Sequence, residues 1–194
     1  MAAAKKFLFI DRDGTIINEA PPTYQIDDFS KLSFYPMVFQ FLRKIILLEE
    51  YDLVMITNQD GLGTEGFKYE DFQPVHDFIM QAFKAEGIHF EEVLIDVTFP
   101  EEHAPTRKPQ TGLLKHYIEN EAVDLKNSFV IGDRITDMQL AKNLGCKGIW
   151  LNVEEGLGAV EISDTIEALK KETIALETKD WEDIWKFLET KCDT

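Results

Sequence analysis

Phe7-Leu8-Phe9-Ile10-Asp11-Arg12-Asp13-Gly14-Thr15 is the stretch that decides the fold. Four apolar residues stop abruptly at a carboxylate, the pattern of a buried parallel strand whose carboxyl end delivers a polar group. The same pattern returns along the chain. Residues 51–56 (YDLVMI) stop at Thr57-Asn58-Gln59-Asp60, residues 92–97 form a third strand, residues 128–131 stop at Gly132-Asp133, and residues 148–153 form a fifth. Helical spacing fills the intervals. Val38, Phe41, Leu42, Ile45 and Ile46 share one face of a helix over 38–50, and Phe72, Val75, Ile79 and Phe83 share one face over 69–86, ahead of Gly87. Further helices are predicted over 111–120, over 137–144 before Gly145, and over 162–171. An edge strand over 173–177 and a last helix capped by Asp180 complete the series. This alternation predicts an α/β fold in three layers, a parallel sheet covered on both faces, with ligands at the carboxyl ends of the strands.

The chain has 194 residues, enough for one domain with a substantial core. We read a motif-bearing core over about 6–153 and an acidic strand-and-helix extension over 154–194. Thirty-six acidic residues against 20 basic ones give a net charge of -16, which disfavours nucleic acid as a partner. An anionic substrate then needs a local cation cluster or a metal. The two cysteines, Cys146 and Cys192, exclude a disulfide framework. No apolar run reaches membrane-spanning length and none resembles a signal-peptide core, so the expected setting is cytoplasmic, with no membrane partner.

Three polar clusters follow predicted strands: Asp11 to Thr15, Thr57-Asn58, and Gly132-Asp133 with Asp137. Arg107-Lys108-Pro109 lies in a loop between them. Topology gathers all four at one rim. Asp11 and Asp13 can serve as nucleophile and acid, while Asp133 completes an oxygen-rich site suited to magnesium. Lys108 and the Thr57 hydroxyl supply positive charge and a donor for phosphoryl oxygens. Asp-x-Asp-Gly alone is also ordinary turn chemistry, but the five-residue string arises by chance in roughly one of several hundred chains.

These four motifs resemble those of the haloacid-dehalogenase superfamily of phosphatases over about residues 6–153. Within it, FIDRDGTIINE, VMITNQDGLGT and VIGDRITD are similar to the histidinol-phosphate phosphatases. The resemblance implies a Rossmann-like core, with intervals between motifs too short for a large cap domain. It implies that Asp11 becomes an aspartyl-phosphate and that Asp13 protonates the leaving alcohol and then activates water. Magnesium would rest on Asp11, the Asp13 carbonyl and Asp133, with Asp137 orienting from behind. The implied substrate is the small phosphate ester L-histidinol phosphate. An imidazole-glycerol-phosphate dehydratase domain can follow in longer relatives.

Substrate contacts are expected from Arg12, Asn58 and Arg107, and from the loop over 19–25, where Glu19 would meet an ammonium and Gln25 an imidazole. Arg107 is the foremost phosphate ligand by this reading, whereas Arg12 and Arg134 are equally suited to ion pairs with neighbouring acids. Relatives of this type carry a zinc loop of three cysteines and a histidine, whose positions here hold Asp96, Thr98, Ala104 and Thr106. No zinc is expected, and prolines and hydrogen bonds must hold the loop. His76, His89, His103 and His116 read as solvated residues rather than ligands, and Trp181 and Trp185 as core. The competing readings are a heptose-bisphosphate phosphatase, against which NQDGLGT argues, and a receiver-type phospho-acceptor module, which lacks the second aspartate of Asp-x-Asp-Gly-Thr.

Overall fold

The computed structural model describes residues 4–152 and 156–192. Six parallel strands form one sheet: β1 (Lys6–Ile10), β2 (Tyr51–Asn58), β3 (Phe90–Asp96), β4 (Phe129–Gly132), β5 (Lys147–Leu151) and β6 (Ile174–Thr178), in the order β3-β2-β1-β4-β5-β6. The order reverses at β1, so the crevice between β1, β2 and β4 is where such a sheet binds ligands.

Side chains alternate across the sheet because successive residues of a strand point to opposite faces. Leu8, Ile10, Met55 and Ile131 pack on one face with α1 (Val38–Ile46), α2 (Tyr69–Ala85) and α6 (Trp181–Cys192). Phe7, Phe9, Val54, Ile56 and Val130 pack on the other with α3 (Lys115–Ile118) and α4 (Ile135–Leu144). Both faces are covered, which explains why the strands read as continuous apolar runs rather than alternating ones. No helix among the described residues is long and apolar enough to cross a membrane. No cap domain interrupts the sheet among them.

Three predicted helices are shorter than expected. α1 ends at Ile46 rather than residue 50, because Glu49 adopts a left-handed backbone at φ 56° and turns the chain into β2. The helix over 111–120 breaks into a 3-10 turn over Gly112–Leu114 and the four-residue α3, as Gly112 N–H is drawn to Pro105 O at 2.8 Å. α5 (Ile166–Glu172) starts four residues late because Thr165 caps it, accepting from Ala168 N–H at 3.2 Å. Strand five ends at Leu151, and the predicted end at residue 153 lies outside the described residues.

The C-terminal extension is part of the sheet. β6 pairs with β5, and α6 is capped as predicted, with Asp180 Oδ1 accepting from Asp183 N–H at 2.9 Å. Trp181 is fully buried, and its indole N–H donates to Thr15 O at 3.0 Å. One end of α6 therefore braces the turn that follows β1.

Candidate active site

The four motifs meet at the carboxyl end of the sheet in a cleft of about 350 Å³ whose lining includes Asp11, Asp13, Thr57, Lys108 and Arg134. A larger groove of about 640 Å³ lies at the amino ends of β1 and β2. It is crossed by the ion pairs Lys5–Asp52 and Lys6–Glu50, and no cluster of metal-ligating groups converges there among the described residues. The smaller cleft is the chemically equipped one.

Asp11 leaves β1 with its N–H fixed to Ile131 O at 2.9 Å, and the residue is 5% exposed. Asp133 follows β4, its backbone carbonyl held by Trp150 Nε1 at 2.8 Å. Asp137 sits in the first turn of α4 and accepts from Arg134 N–H at 3.2 Å, so a helix-capping contact fixes it. Gly14 and Gly132 allow the crowding: a Cβ on Gly14, which has φ +77°, would lie 2.1 Å from Asp133 Oδ2, and one on Gly132 2.2 Å from Asp137 Oδ2.

Oxygens of Asp11, Asp133 and Asp137 lie within 4.8 Å of one another. Lys108 Nζ donates to Asp11 Oδ1 at 2.6 Å and to Asp137 Oδ1 at 2.8 Å, one cation among three buried carboxylates. Burial works against the charge on Lys108, but Asp11 and Asp137 outweigh it and hold its pKa above the usual lysine value. Asp133 is pushed well above the carboxylate range by burial first, then by Asp11 and Asp137, and Asp137 to about 6 by burial, with Lys108 opposing. Asp133 Oδ1 is buried with no hydrogen-bond partner. Surplus negative charge and an orphaned carboxylate oxygen are what a hard divalent cation satisfies, so the residues fit magnesium.

Asp13 stands beside this triad. Arg12 Nη1 lies 3.1 and 3.2 Å from its two oxygens, and Gln59 Nε2 donates to Oδ2 at 2.5 Å. Burial raises its pKa and so does Asp11, while Arg12 and Gln59 pull it down; the balance is upward, in the sense a proton donor needs. Thr57 is buried at the end of β2, its Oγ1 accepting from Gln59 Nε2 at 2.9 Å.

Several expected substrate contacts are placed otherwise. Arg107 lines the cleft, with its guanidinium turned to protein acceptors: its Nε donates to Glu161, its Nη1 to Asp60 and to Thr98 O, and its Nη2 to Asp60 and Glu161, at 2.5 to 3.2 Å. All five guanidinium protons are engaged. Asn58 lines the cleft and brackets the backbone of Lys108, its Oδ1 accepting from Lys108 N–H at 3.0 Å and its Nδ2 donating to Lys108 O at 3.2 Å. Arg12 is fully buried in an ion pair with Asp13, its guanidinium 4.8 Å from the centre of the Phe72 ring. Glu19 and Gln25 do line the cleft, but Glu19 is held by Arg134 Nη2 at 2.6 Å rather than standing as a lone carboxylate.

The zinc-type loop is tied by hydrogen bonds at three of its four positions. Asp96 accepts from Thr98 N–H at 2.9 Å, Thr98 Oγ1 at 2.5 Å and Thr106 Oγ1 at 2.5 Å. His89 and His103 are exposed and His116 pairs with Glu92, whereas His76 is buried against Phe72, contrary to its solvated reading. The sequence reading assigned no role to Gln59. The signal was available, since strand alternation puts Thr57 and Gln59 on one side and Asn58 on the other.

The family model described as polynucleotide kinase 3 phosphatase matches residues 6–152. The bifunctional histidine biosynthesis protein HisB of Bacteroides fragilis is 47% identical over 188 residues, covering 95% of this chain and 47% of that protein. Its counterpart from Spirosoma linguale is 47% identical over 186 residues, with 95% and 48% covered. The chain thus spans about half the length of these curated relatives. Among solved structures, D,D-heptose 1,7-bisphosphate phosphatase from B. bronchiseptica, complexed with magnesium and phosphate, superposes with a TM-score of 0.74 at 20% identity, covering 96% of this chain and 99% of that one. A putative HAD-like phosphatase from Mesorhizobium loti gives 0.72 at 23%, with 98% and 88% covered. These likenesses establish a HAD-like phosphatase fold. With the family model running from β1 through β5, the chain belongs to the polynucleotide kinase 3 phosphatase family.

Proposed function

We propose that this chain is a magnesium-dependent phosphomonoesterase that hydrolyses L-histidinol phosphate through an aspartyl-phosphate on Asp11, a step of histidine biosynthesis in the cytoplasm. The observation that carries the reading is the buried triad of Asp11, Asp133 and Asp137 around Lys108, with Asp13 braced alongside. The name of the HisB relatives places them in histidine biosynthesis, which supports a histidine precursor as the substrate. They are bifunctional and twice as long, and we assign the phosphatase half to the part this chain matches; a dehydratase half would be their other activity.

Asp11 attacks phosphorus, forming the new P–O bond as the ester oxygen departs. Asp13 gives that oxygen its proton and then takes one from the water that hydrolyses the aspartyl-phosphate. Thr57 and Lys108 hold phosphoryl oxygens. Magnesium would be held by Asp11, the Asp13 carbonyl and Asp133, with Asp137 orienting Lys108 from behind. When bound, it supplies neutralisation of phosphoryl charge. At the cleft mouth Glu19 is paired with Arg134, and Asp60 and Glu161 with Arg107, which leaves one more carboxylate than arginine there and suits an ester with a cationic tail.

Turnover of a panel of phosphate esters, with and without magnesium, tests the proposal. Histidinol phosphate should lead the panel. Asp11→Asn should lower turnover by at least about a thousandfold while leaving the fold intact. A variant keeping a tenth of the activity would remove Asp11 from the role.

A further inference from the structure

We propose that Gln59 is a positioning residue for proton transfer, fixing the Asp13 carboxyl at the reacting ester by tying it to Thr57 through a single amide nitrogen. The inference rests on the phosphomonoesterase reading and goes beyond it, to a residue that does not touch the phosphoryl group.

Gln59 is 3% exposed and its backbone is fixed on both sides, with its N–H donating to Asp96 O at 2.7 Å and its carbonyl accepting from Leu62 N–H at 3.1 Å. The side chain has little freedom of its own. Its Nε2 donates to Asp13 Oδ2 at 2.5 Å and to Thr57 Oγ1 at 2.9 Å, so both amide protons are used. Arg12 Nη1 approaches the same carboxylate at 3.1 and 3.2 Å. Two donors from two residues set the plane of the carboxyl, which otherwise hangs on the turn after β1. Thr57, accepting from Gln59, keeps its hydroxyl proton for a phosphoryl oxygen. The brace also joins the turns after β1 and β2, which are neighbouring strands in the sheet.

A misaligned acid slows only reactions that need it, and this gives a test that a merely structural role would fail. An alkyl phosphate releases a poor leaving group that must be protonated, whereas 4-nitrophenyl phosphate releases a stable phenolate that need not be. kcat/KM reports the steps through phosphoryl transfer, where the acid acts. Gln59→Leu should lose about 30-fold in kcat/KM on the alkyl ester and no more than about threefold on the aryl ester, within the range of acid catalysis. Its thermal unfolding should stay near that of the parent, and Gln59→Met, unbranched like glutamine, should give the same split. Equal losses on both esters, or no loss on the alkyl ester, would overturn the role of Gln59 while leaving the phosphatase reading standing. A parent protein that hydrolyses neither ester would overturn both.

Discussion

Asp96→Ala should unfasten the loop that carries Arg107 and Lys108. Asp96 is 3% exposed and accepts three hydrogen bonds, two from Thr98 and one from Thr106, across the loop that leads to Arg107 and Lys108. Thr98 and Thr106 are only half-buried, so water can replace part of what the donors lose. Taking the central net value of an ordinary hydrogen bond, about 1 kcal/mol, for each of the three, the loss is about 3 kcal/mol. For a chain of this size that corresponds to a fall in Tm of roughly 6–12 °C. Activity should fall as well, because Lys108 reaches Asp11 and Asp137 from the end of the same loop. Thermal unfolding followed by circular dichroism, with hydrolysis assayed well below the transition, reads both effects. Asp96→Asn, which keeps one acceptor oxygen but replaces the other with a donor and removes the charge, should fall between the parent and the alanine variant. An alanine variant with unchanged Tm would show that the three bonds hold nothing together.

Glu19→Gln should lower kcat/KM for an ammonium-bearing ester by about tenfold, the worth of a charged hydrogen bond, and change hydrolysis of a plain aryl phosphate little. Equal losses would mean that pairing with Arg134 is its whole role. His76, depressed to about 4 by burial and by Arg12, stays neutral in the fold while the unfolded chain takes up a proton below about 6.5. The unfolded state then binds more protons, so stability is lost as pH falls from about 6.5 to about 4. His76→Phe should flatten this part of a Tm-against-pH curve, and an unchanged curve would count against it. Chelation by EDTA should abolish hydrolysis and magnesium should restore it, with Tm of the Asp96 loop unaffected; unfolding on chelation would instead indicate a structural metal.

The strands and the catalytic rim were legible because both depend on local pattern. Apolar runs ending at Asp11, Thr57 and Gly132-Asp133 fix the sheet and the edge where its ligands bind. The charged groups around the rim were less so. Arg107 lies inside a motif and has the chemistry of a phosphate ligand, but its choice of Asp60 and Glu161 depends on two segments 47 and 54 residues away that no periodicity connects to it. Asn58 likewise turns to Lys108 across 50 residues. The ends of α1 and α5 were missed for a different reason: Glu49 stops a helix without the glycine that usually marks such a turn, and Thr165 caps one inside a loop already rich in polar residues. The hydrogen-bonded loop was anticipated as a need, whereas its actual donors, Thr98 and Thr106, became visible only with the side chains in place.

The proposed mechanism requires that Asp11 be phosphorylated in the course of turnover. Asp13→Asn should slow the hydrolysis of that intermediate, so acid quenching of this variant with an activated aryl ester and magnesium, followed by borohydride reduction, gives the direct test. Mass spectrometry of the digest should find homoserine at position 11, in the peptide that carries β1 and its turn, and unmodified carboxylates at 133 and 137, in the peptide that carries β4 and α4. Hydrolysis proceeding with aspartate intact at position 11, or homoserine appearing at another position, would contradict the account.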